Sequence, residues 1–204
     1  DYKAMLDIEK LDVVHICTPH YLHADMAIYA LERDVNVLCE KPLCIKAEDI
    51  DRIVEAESKS KAMLGVCLQN RYNRSSRFVK EYLQGKKIDF AFGNVSWHRD
   101  AAYYATADWR GKKATEGGGV MINQAIHTLD LMQWICGAPE SVCANVYNYS
   151  LKDVIEVEDT AIALFKGNTD FEFFATNTAK SDLPIEIRFM SEGKIITLYP
   201  DEVL

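Results

Sequence analysis

Residues 11–39 read LDVVHICTPHYLHADMAIYALERDVNVLC, and this stretch decides the fold. Residues 11–17 form a short β-branched run that stops at Thr18-Pro19. A near-continuous apolar run of that length suits a parallel strand buried on both faces, with His15 as a packing residue inside it. Residues 20–32 then place Leu22, Met26, Ala30 and Ile28, Leu31 at helical spacing. Residues 35–39 are a second buried strand, ended by Glu40-Lys41-Pro42. Working outward, residues 47–58 read as an amphipathic helix with Ile50, Ile53 and Val54 on one face, and residues 63–68 as a third strand. Residues 1–9 are helix-like and feed directly into the first strand. Strand, helix, strand, helix, strand with short connections predicts a doubly wound parallel sheet. Nowhere do the 204 residues contain the Gly-x-Gly-x-x-Gly turn whose amides hold a pyrophosphate. Residues 1–68 therefore read as the later part of a dinucleotide-binding (Rossmann) domain whose first half is missing, an α/β unit.

After Gln69 the pattern changes. Residues 71–84 are expected to be helical, 90–98 a strand, and 120–136 one strongly apolar helix. Strand patterns follow at 141–149, 160–165, 170–178, 185–190 and 194–198, with hairpin turns at Gly167-Asn168 and Glu192-Gly193. Residues 69–204 thus read as an α+β domain with a mainly antiparallel sheet.

Acidic residues outnumber basic ones 31 to 23, for a formal charge of −8. That balance argues against nucleic-acid or membrane-surface partners, whose phosphates an acidic protein repels. No apolar stretch is long enough to span a bilayer, and no signal-peptide layout opens the chain. None of the six cysteines lies in a CxxC pair, and Cys17, Cys39 and Cys67 fall in strand-like runs. They read as small buried hydrophobes in a reducing, cytoplasmic setting, not as metal ligands. Glu156, Glu158 and Asp159 read as a solvated strand entry and again not as a metal cluster.

Chemistry is concentrated in three places. Residues 117–130 read GGGVMINQAIHTLD. Asn123, His127 and Asp130 fall at i, i+4 and i+7, one face of an otherwise apolar helix, where polar groups need partners. The glycines ahead of them let backbone or ligand approach the helix's positive end, and Gly137 is a natural stop. Histidine titrates near neutrality, so His127 suits taking a proton from a hydroxyl as hydride leaves the same carbon. Glu40-Lys41-Pro42 lies at the carboxyl end of a parallel strand, the edge where open α/β sheets bind ligands. An ammonium there can polarise a hydroxyl. Thr18-Pro19-His20 with His23 ends the neighbouring strand on the same edge, though Thr18 as a helix N-cap followed by proline is equally good physics. His98, at a strand end, and Tyr103-Tyr104, in a loop, are weaker candidates for a cleft.

Taken together, ICTPHYLHADMAIYAL, VLCEKPL, WRG and GGGVMINQAIHTLDLMQWICG resemble the glucose–fructose oxidoreductase / inositol dehydrogenase (Gfo/Idh/MocA) family, through essentially the whole chain. The resemblance implies a Rossmann domain followed by a domain built on an open-faced sheet that often forms the subunit contact, hence a homo-oligomer, dimer or tetramer. It implies an NAD(P)-dependent dehydrogenase acting on CH–OH groups, with NAD or NADP as hydride acceptor and a sugar, polyol or nucleotide-sugar substrate. Lys41 matches the family's catalytic lysine, in a Lys41–Pro42 bond often held cis, and His127 its acid/base. Thr18, Pro19, His23, Glu40 and Lys41 match positions bordering the cofactor's nicotinamide half, and Trp109 and Arg110 a pair approaching nicotinamide or substrate. Arg71, Tyr104, Asn123, His127 and Lys41 are the implied substrate contacts. Relatives resembling inositol dehydrogenase carry aspartate where this chain has Asn123, and several relatives acting on nucleotide sugars share the Asn-Gln-x-Ile-His form. An amide cannot accept a proton, so Asn123 is expected to orient His127 or a substrate hydroxyl. Lacking the glycine loop, these residues alone are expected to bind dinucleotide poorly. The rival expectation is a non-enzymatic relative serving as an oligomeric scaffold or binding module.

Overall fold

The computed structural model describes all residues 1–204, which form two compact units. One comprises Asp1–Cys67 together with Lys112–Gly118; the other comprises Leu68–Gly111 and Gly119–Leu204. A single cut after residue 68 does not anticipate the return of residues 112–118 to the first unit. Within that unit the return is fixed by His20 Nδ1, 3.0 Å from the Glu116 carbonyl oxygen, and by Gly117, at φ +89°, whose missing Cβ makes room for Ile45.

The first unit runs α1 (Tyr2–Ile8), β1 (Val13–Ile16), a 3₁₀ turn (His20–Leu22), α2 (His23–Leu31), β2 (Asn36–Cys39), α3 (Ala47–Lys59) and β3 (Leu64–Val66). Asp1 caps α1 by accepting from the Lys3 amide. The strands pair β1-β2-β3, all parallel, as the parallel-sheet reading expects. Burial on both strand faces does not. Ile16, Val37 and Cys39 are buried with Ala27, Ala30 and Leu31 of α2, whereas Val13, His15, Cys17, Leu38 and Gly65 of the opposite row are exposed. The helices of this unit cover one face, and an alternation of period two was hidden because both faces carry apolar residue types. His15 is consequently a surface residue, with about half of its side chain exposed. In α3, Ile53 is buried, but Ile50 and Val54 stay exposed.

The second unit runs through a 3₁₀ turn (Gln69–Tyr72), α4 (Arg74–Tyr82), β4 (Ile88–Ser96), α5 (Ala101–Tyr104), α6 (Val120–Asn123), α7 (Ile126–Cys136), β5 (Ser141–Tyr147), β6 (Thr160–Lys166), β7 (Phe171–Thr176), β8 (Glu186–Ser191) and β9 (Lys194–Leu198). Its sheet has the order β5-β6-β7-β4-β8-β9. Four of its five pairings are antiparallel, and β4–β7 is parallel, so the sheet is mixed although mainly antiparallel. The β8–β9 hairpin turns on Glu192 (φ 51°) and Gly193 (φ 73°), the two positive-φ residues a tight right-twisting turn requires. One sheet face packs on α4 and α7 through Val79, Val95, Met132, Phe171, Phe173 and Phe189.

The expected single helix over 120–136 is two. The Val120 carbonyl accepts from both Gln124 (3.2 Å) and Ala125 (2.8 Å), after which the ladder restarts at the Ala125 carbonyl. Apolar residues continue through the break, so hydrophobic pattern cannot reveal it. Gly137 ends α7 at φ 94°, as expected of a C-terminal stop.

Gly93 in β4 sits directly under α7. A Cβ there would lie 2.4 Å from Met132 Sδ and 3.1 Å from Phe173. Gly93→Ala should therefore lower stability by about 1–3 kcal/mol through overpacking. Gly65→Ala, on the open strand row, should change it by no more than about 0.5 kcal/mol. Urea denaturation of the two variants checks the contrast.

Candidate active site

In the first unit, the parallel register fixes which loops meet. Ile16 pairs with Cys39, so the segments Cys17-Thr18-Pro19 and Glu40-Lys41-Pro42 leave the sheet side by side at its carboxyl edge. The Glu40 amide donates to the Ile16 carbonyl at 2.9 Å, extending the ladder by one step. Lys41 follows, half-buried, in a cis bond to Pro42, as the sequence led us to expect. Behind both loops lies His23, fully buried at the first position of α2. Its Nε2 is 2.7 Å from the Thr18 carbonyl oxygen and its Nδ1 2.7 Å from the Pro42 carbonyl oxygen. Carbonyls only accept, so satisfying both takes an N–H on each ring nitrogen. With no exposed surface and both nitrogens engaged, His23 positions the two loops that do reach the edge. The N-cap alternative for Thr18 is not realised, since its hydroxyl lies 3.4 Å from Met26 Sδ and α2 is preceded by Leu22.

In the second unit, Asn123 ends α6 and His127 is the second residue of α7, both half-buried. The break between the helices means that Asn123 and His127 do not share one continuous helical face. What fixes the break is a residue the sequence reading passed over. Gln124 is buried, its Nε2 donating to Tyr103 Oη (3.1 Å) and its Oε1 accepting from Asn177 Nδ2 (3.1 Å). Asn177, fully buried, donates also to Tyr104 Oη (3.0 Å), and Arg110 Nη1 donates to Tyr103 Oη (2.7 Å). A polar chain thus runs from Arg110 through Tyr103 and Gln124 to Asn177 and Tyr104. The guanidinium of Arg110 also lies over the Trp109 ring, 4.7 Å from its centroid. Gln124 and Asn177 could have been suspected only from the rule that a buried amide needs partners, because their spacing in sequence carries no pattern.

Tyr104 is a core residue, packed with Leu151, Ile155 and Val157. Asp130 is taken by Arg71: Nε and Nη2 of the guanidinium donate to its two carboxylate oxygens at 2.7 and 2.5 Å. That pairing, more than any other contact, raises the Arg71 pKa above its ordinary value. Glu158 and Asp159 are not a solvated entry. Glu158 caps α6, its carboxylate accepting from the Gly119 and Met121 amides (2.9 and 3.1 Å), and its carbonyl accepts from Val120. Asp159 is fully buried and accepts from the Ser150 and Leu151 amides. The glycine entry to the helix therefore admits backbone: a Cβ on Gly119 would fall 1.8 Å from the Glu158 carbonyl oxygen. His98, two residues past β4, is exposed, its Nδ1 2.7 Å from the Ala179 carbonyl.

All six cysteines are free. Cys39 and Cys136 are buried as expected, and burial pushes each thiol up to about 12. Cys17 and Cys143, in contrast, are exposed. No helix is long and apolar enough to cross a membrane.

Known proteins were then compared with this chain. Residues 1–68 match the family described as an oxidoreductase family with an NAD-binding Rossmann fold, and residues 80–193 match the GFO/IDH/MocA C-terminal domain. Levoglucosan dehydrogenase of Pseudarthrobacter phenanthrenivorans is 27% identical over 148 residues, covering 71% of this chain and 38% of that protein. Inositol 2-dehydrogenase of Salmonella typhimurium is 28% identical over 136 residues, covering 66% and 38%. Among solved structures, the WlbA dehydrogenase from Bordetella pertussis, in complex with NADH and UDP-GlcNAcA, superimposes with a TM-score of 0.94. It is 30% identical, and the match covers 100% of this chain and 61% of that one. This chain spans well under half the length of those two curated relatives.

The His23 clamp is testable by itself. His23→Ala leaves two carbonyls without their partner and a cavity behind the loops, and should cost roughly 2–4 kcal/mol. Amide hydrogen exchange should speed up at Cys17–Thr18 and Glu40–Lys41 before it does elsewhere in the first unit. Unchanged protection at those amides would disprove the clamp.

Proposed function

Because the chain belongs to the GFO/IDH/MocA oxidoreductase family, we propose that it carries the acid/base half of an NAD(P)-dependent dehydrogenase acting on a sugar, polyol or nucleotide-sugar alcohol. The observation that carries the reading is the placement of Glu40-Lys41-Pro42 beside Thr18-Pro19 at the carboxyl edge of a parallel sheet, where open α/β sheets receive ligands. Thr18, Pro19, Glu40 and Lys41 fit the nicotinamide half of the cofactor there: two half-buried loops at one sheet edge, with the buried His23 imidazole behind them. The pyrophosphate would need a glycine turn that these 204 residues do not contain. When bound, NAD or NADP supplies a carbon acceptor for hydride.

The rest of the chemistry falls to side chains of the chain. His127 takes the hydroxyl proton on a ring nitrogen as the carbinol carbon gives up hydride. Lys41 donates to the same oxygen and stabilises the alkoxide as it develops. Asn123 orients the imidazole or a neighbouring hydroxyl. Trp109 and Arg110, fixed by the Tyr103–Gln124 chain, border the nicotinamide or the substrate, and Arg71 contributes to the substrate site through its position next to Asp130. Similarity to a dehydrogenase solved with UDP-GlcNAcA, together with the Asn-Gln-x-Ile-His sequence, favours a nucleotide sugar. Free thiols and an acidic chain fit a cytoplasmic setting.

The scaffold reading draws on a separate observation. The sheet of the second unit leaves Ile162, Leu164 and Phe174 exposed on one face, and β5 is exposed throughout. We read this face as the contact between copies in a dimer or tetramer. It serves an enzyme and a scaffold equally, so activity decides between them.

The decisive assay uses the protein expressed from its complete reading frame, screened with UDP-GlcNAcA, myo-inositol and levoglucosan against NAD and NADP. Reduced-nicotinamide absorbance should appear with one of them. Lys41→Ala and His127→Ala should each lower kcat by about 10²–10⁴-fold while cofactor affinity changes little. Wild-type turnover in both variants, or no turnover on any sugar or polyol, would overturn the reading.

A further inference from the structure

The open row of the first unit's sheet gathers three unlike donors. His15 on β1, Glu40 at the end of β2 and Cys67 at the end of β3 project from the face opposite α2 and α3, and each is at least partly exposed. His15 Nε2 is 3.7 Å from Cys67 Sγ and 4.0 Å from Glu40 Oε1, and all three donor atoms lie within 4.8 Å of one another. We propose that His15, Glu40 and Cys67 form a binding site for a divalent transition-metal ion of the zinc class, bridging the three parallel strands at their carboxyl ends.

Geometry and donor chemistry both favour that ion. Tetrahedral zinc with ligands at 2.0–2.3 Å sets its donors about 3.3–3.8 Å apart, so the observed separations close onto one ion with shifts of under roughly 1 Å. A thiolate with an imidazole selects zinc, cobalt or copper over magnesium or calcium, which take oxygen donors. Three protein ligands leave one position for water. On binding, the Cys67 sulfur–hydrogen bond gives way to a sulfur–metal bond and the proton leaves to solvent. Side-chain alternation along parallel strands places His15 of β1 and the positions just after β2 and β3 on this one face, while Cys39, one position earlier than Glu40, is directed into the opposite core. The site rests on no assumption about hydride transfer.

The test is titration of the reduced, chelator-treated 204-residue chain with Co²⁺, followed by displacement with Zn²⁺. Binding should give one equivalent of tetrahedral cobalt with visible ligand-field bands and a near-ultraviolet thiolate-to-cobalt charge-transfer band. Zn²⁺ should abolish both. Cys67→Ser should remove the charge-transfer band, His15→Ala should weaken binding by on the order of a hundredfold, and Cys143→Ser should leave both signals intact. Circular dichroism checks that each variant folds; none of the three substituted positions is a core residue. Absence of a stoichiometric cobalt complex, or a charge-transfer band unchanged in Cys67→Ser, overturns the proposal. Neither result depends on catalytic turnover, so failure here is distinguishable from failure of the dehydrogenase reading.

Discussion

Everything at the carboxyl edge of the first unit depends on how two loops are held, and one buried imidazole holds them. Parallel pairing of β1 with β2 brings residues 17–19 and 40–42 out of the sheet as neighbours, but register alone leaves the loops beyond it without backbone partners. His23 supplies these, one ring nitrogen for the Thr18 carbonyl and the other for the Pro42 carbonyl. The histidine is itself fixed by opening α2, whose apolar stripe is buried against β1 and β2. A lysine on a loose loop is a solvated charge. Lys41 is instead placed between a strand-end amide held by Ile16 and a Pro42 carbonyl held by His23.

The second unit solves a parallel problem with different parts. His127 lies just after a break in an apolar helix, and the break is held by Gln124, which reaches Tyr103 and Asn177, and by Glu158, which covers the α6 amides. Both are contacts across a long stretch of chain. A helix hydrophobic on nearly all sides is a buried helix, and its polar residues fare differently: Gln124 joins the network and Asp130 pairs with Arg71, whereas the Thr128 hydroxyl is buried without a hydrogen-bond partner.

Much of this was legible in the sequence, and what was not has identifiable physical causes. Alternating strand and helix periods gave the parallel sheet, and the turn residues Gly137, Glu192 and Gly193 ended elements where the structure ends them, because both signals are local. Exposure of His15 and Cys17 escaped, since Val-Val-His-Ile-Cys is apolar at most positions whichever face is covered. The caps and amide network escaped because Gly119 meets Glu158, and Gln124 meets Asn177, only after the chain has folded back. The partners of Arg71 and Tyr104, Asp130 and Asn177, are visible only in three dimensions.

The proposal to test is that Lys41 and His127 act on one substrate hydroxyl. A crystal structure of the complete protein with NADH and UDP-GlcNAcA measures that directly. The account predicts Lys41 Nζ and a ring nitrogen of His127 both within hydrogen-bonding distance of a single sugar hydroxyl, whose carbon faces the nicotinamide. A sugar bound with either group turned to another part of the molecule would contradict it.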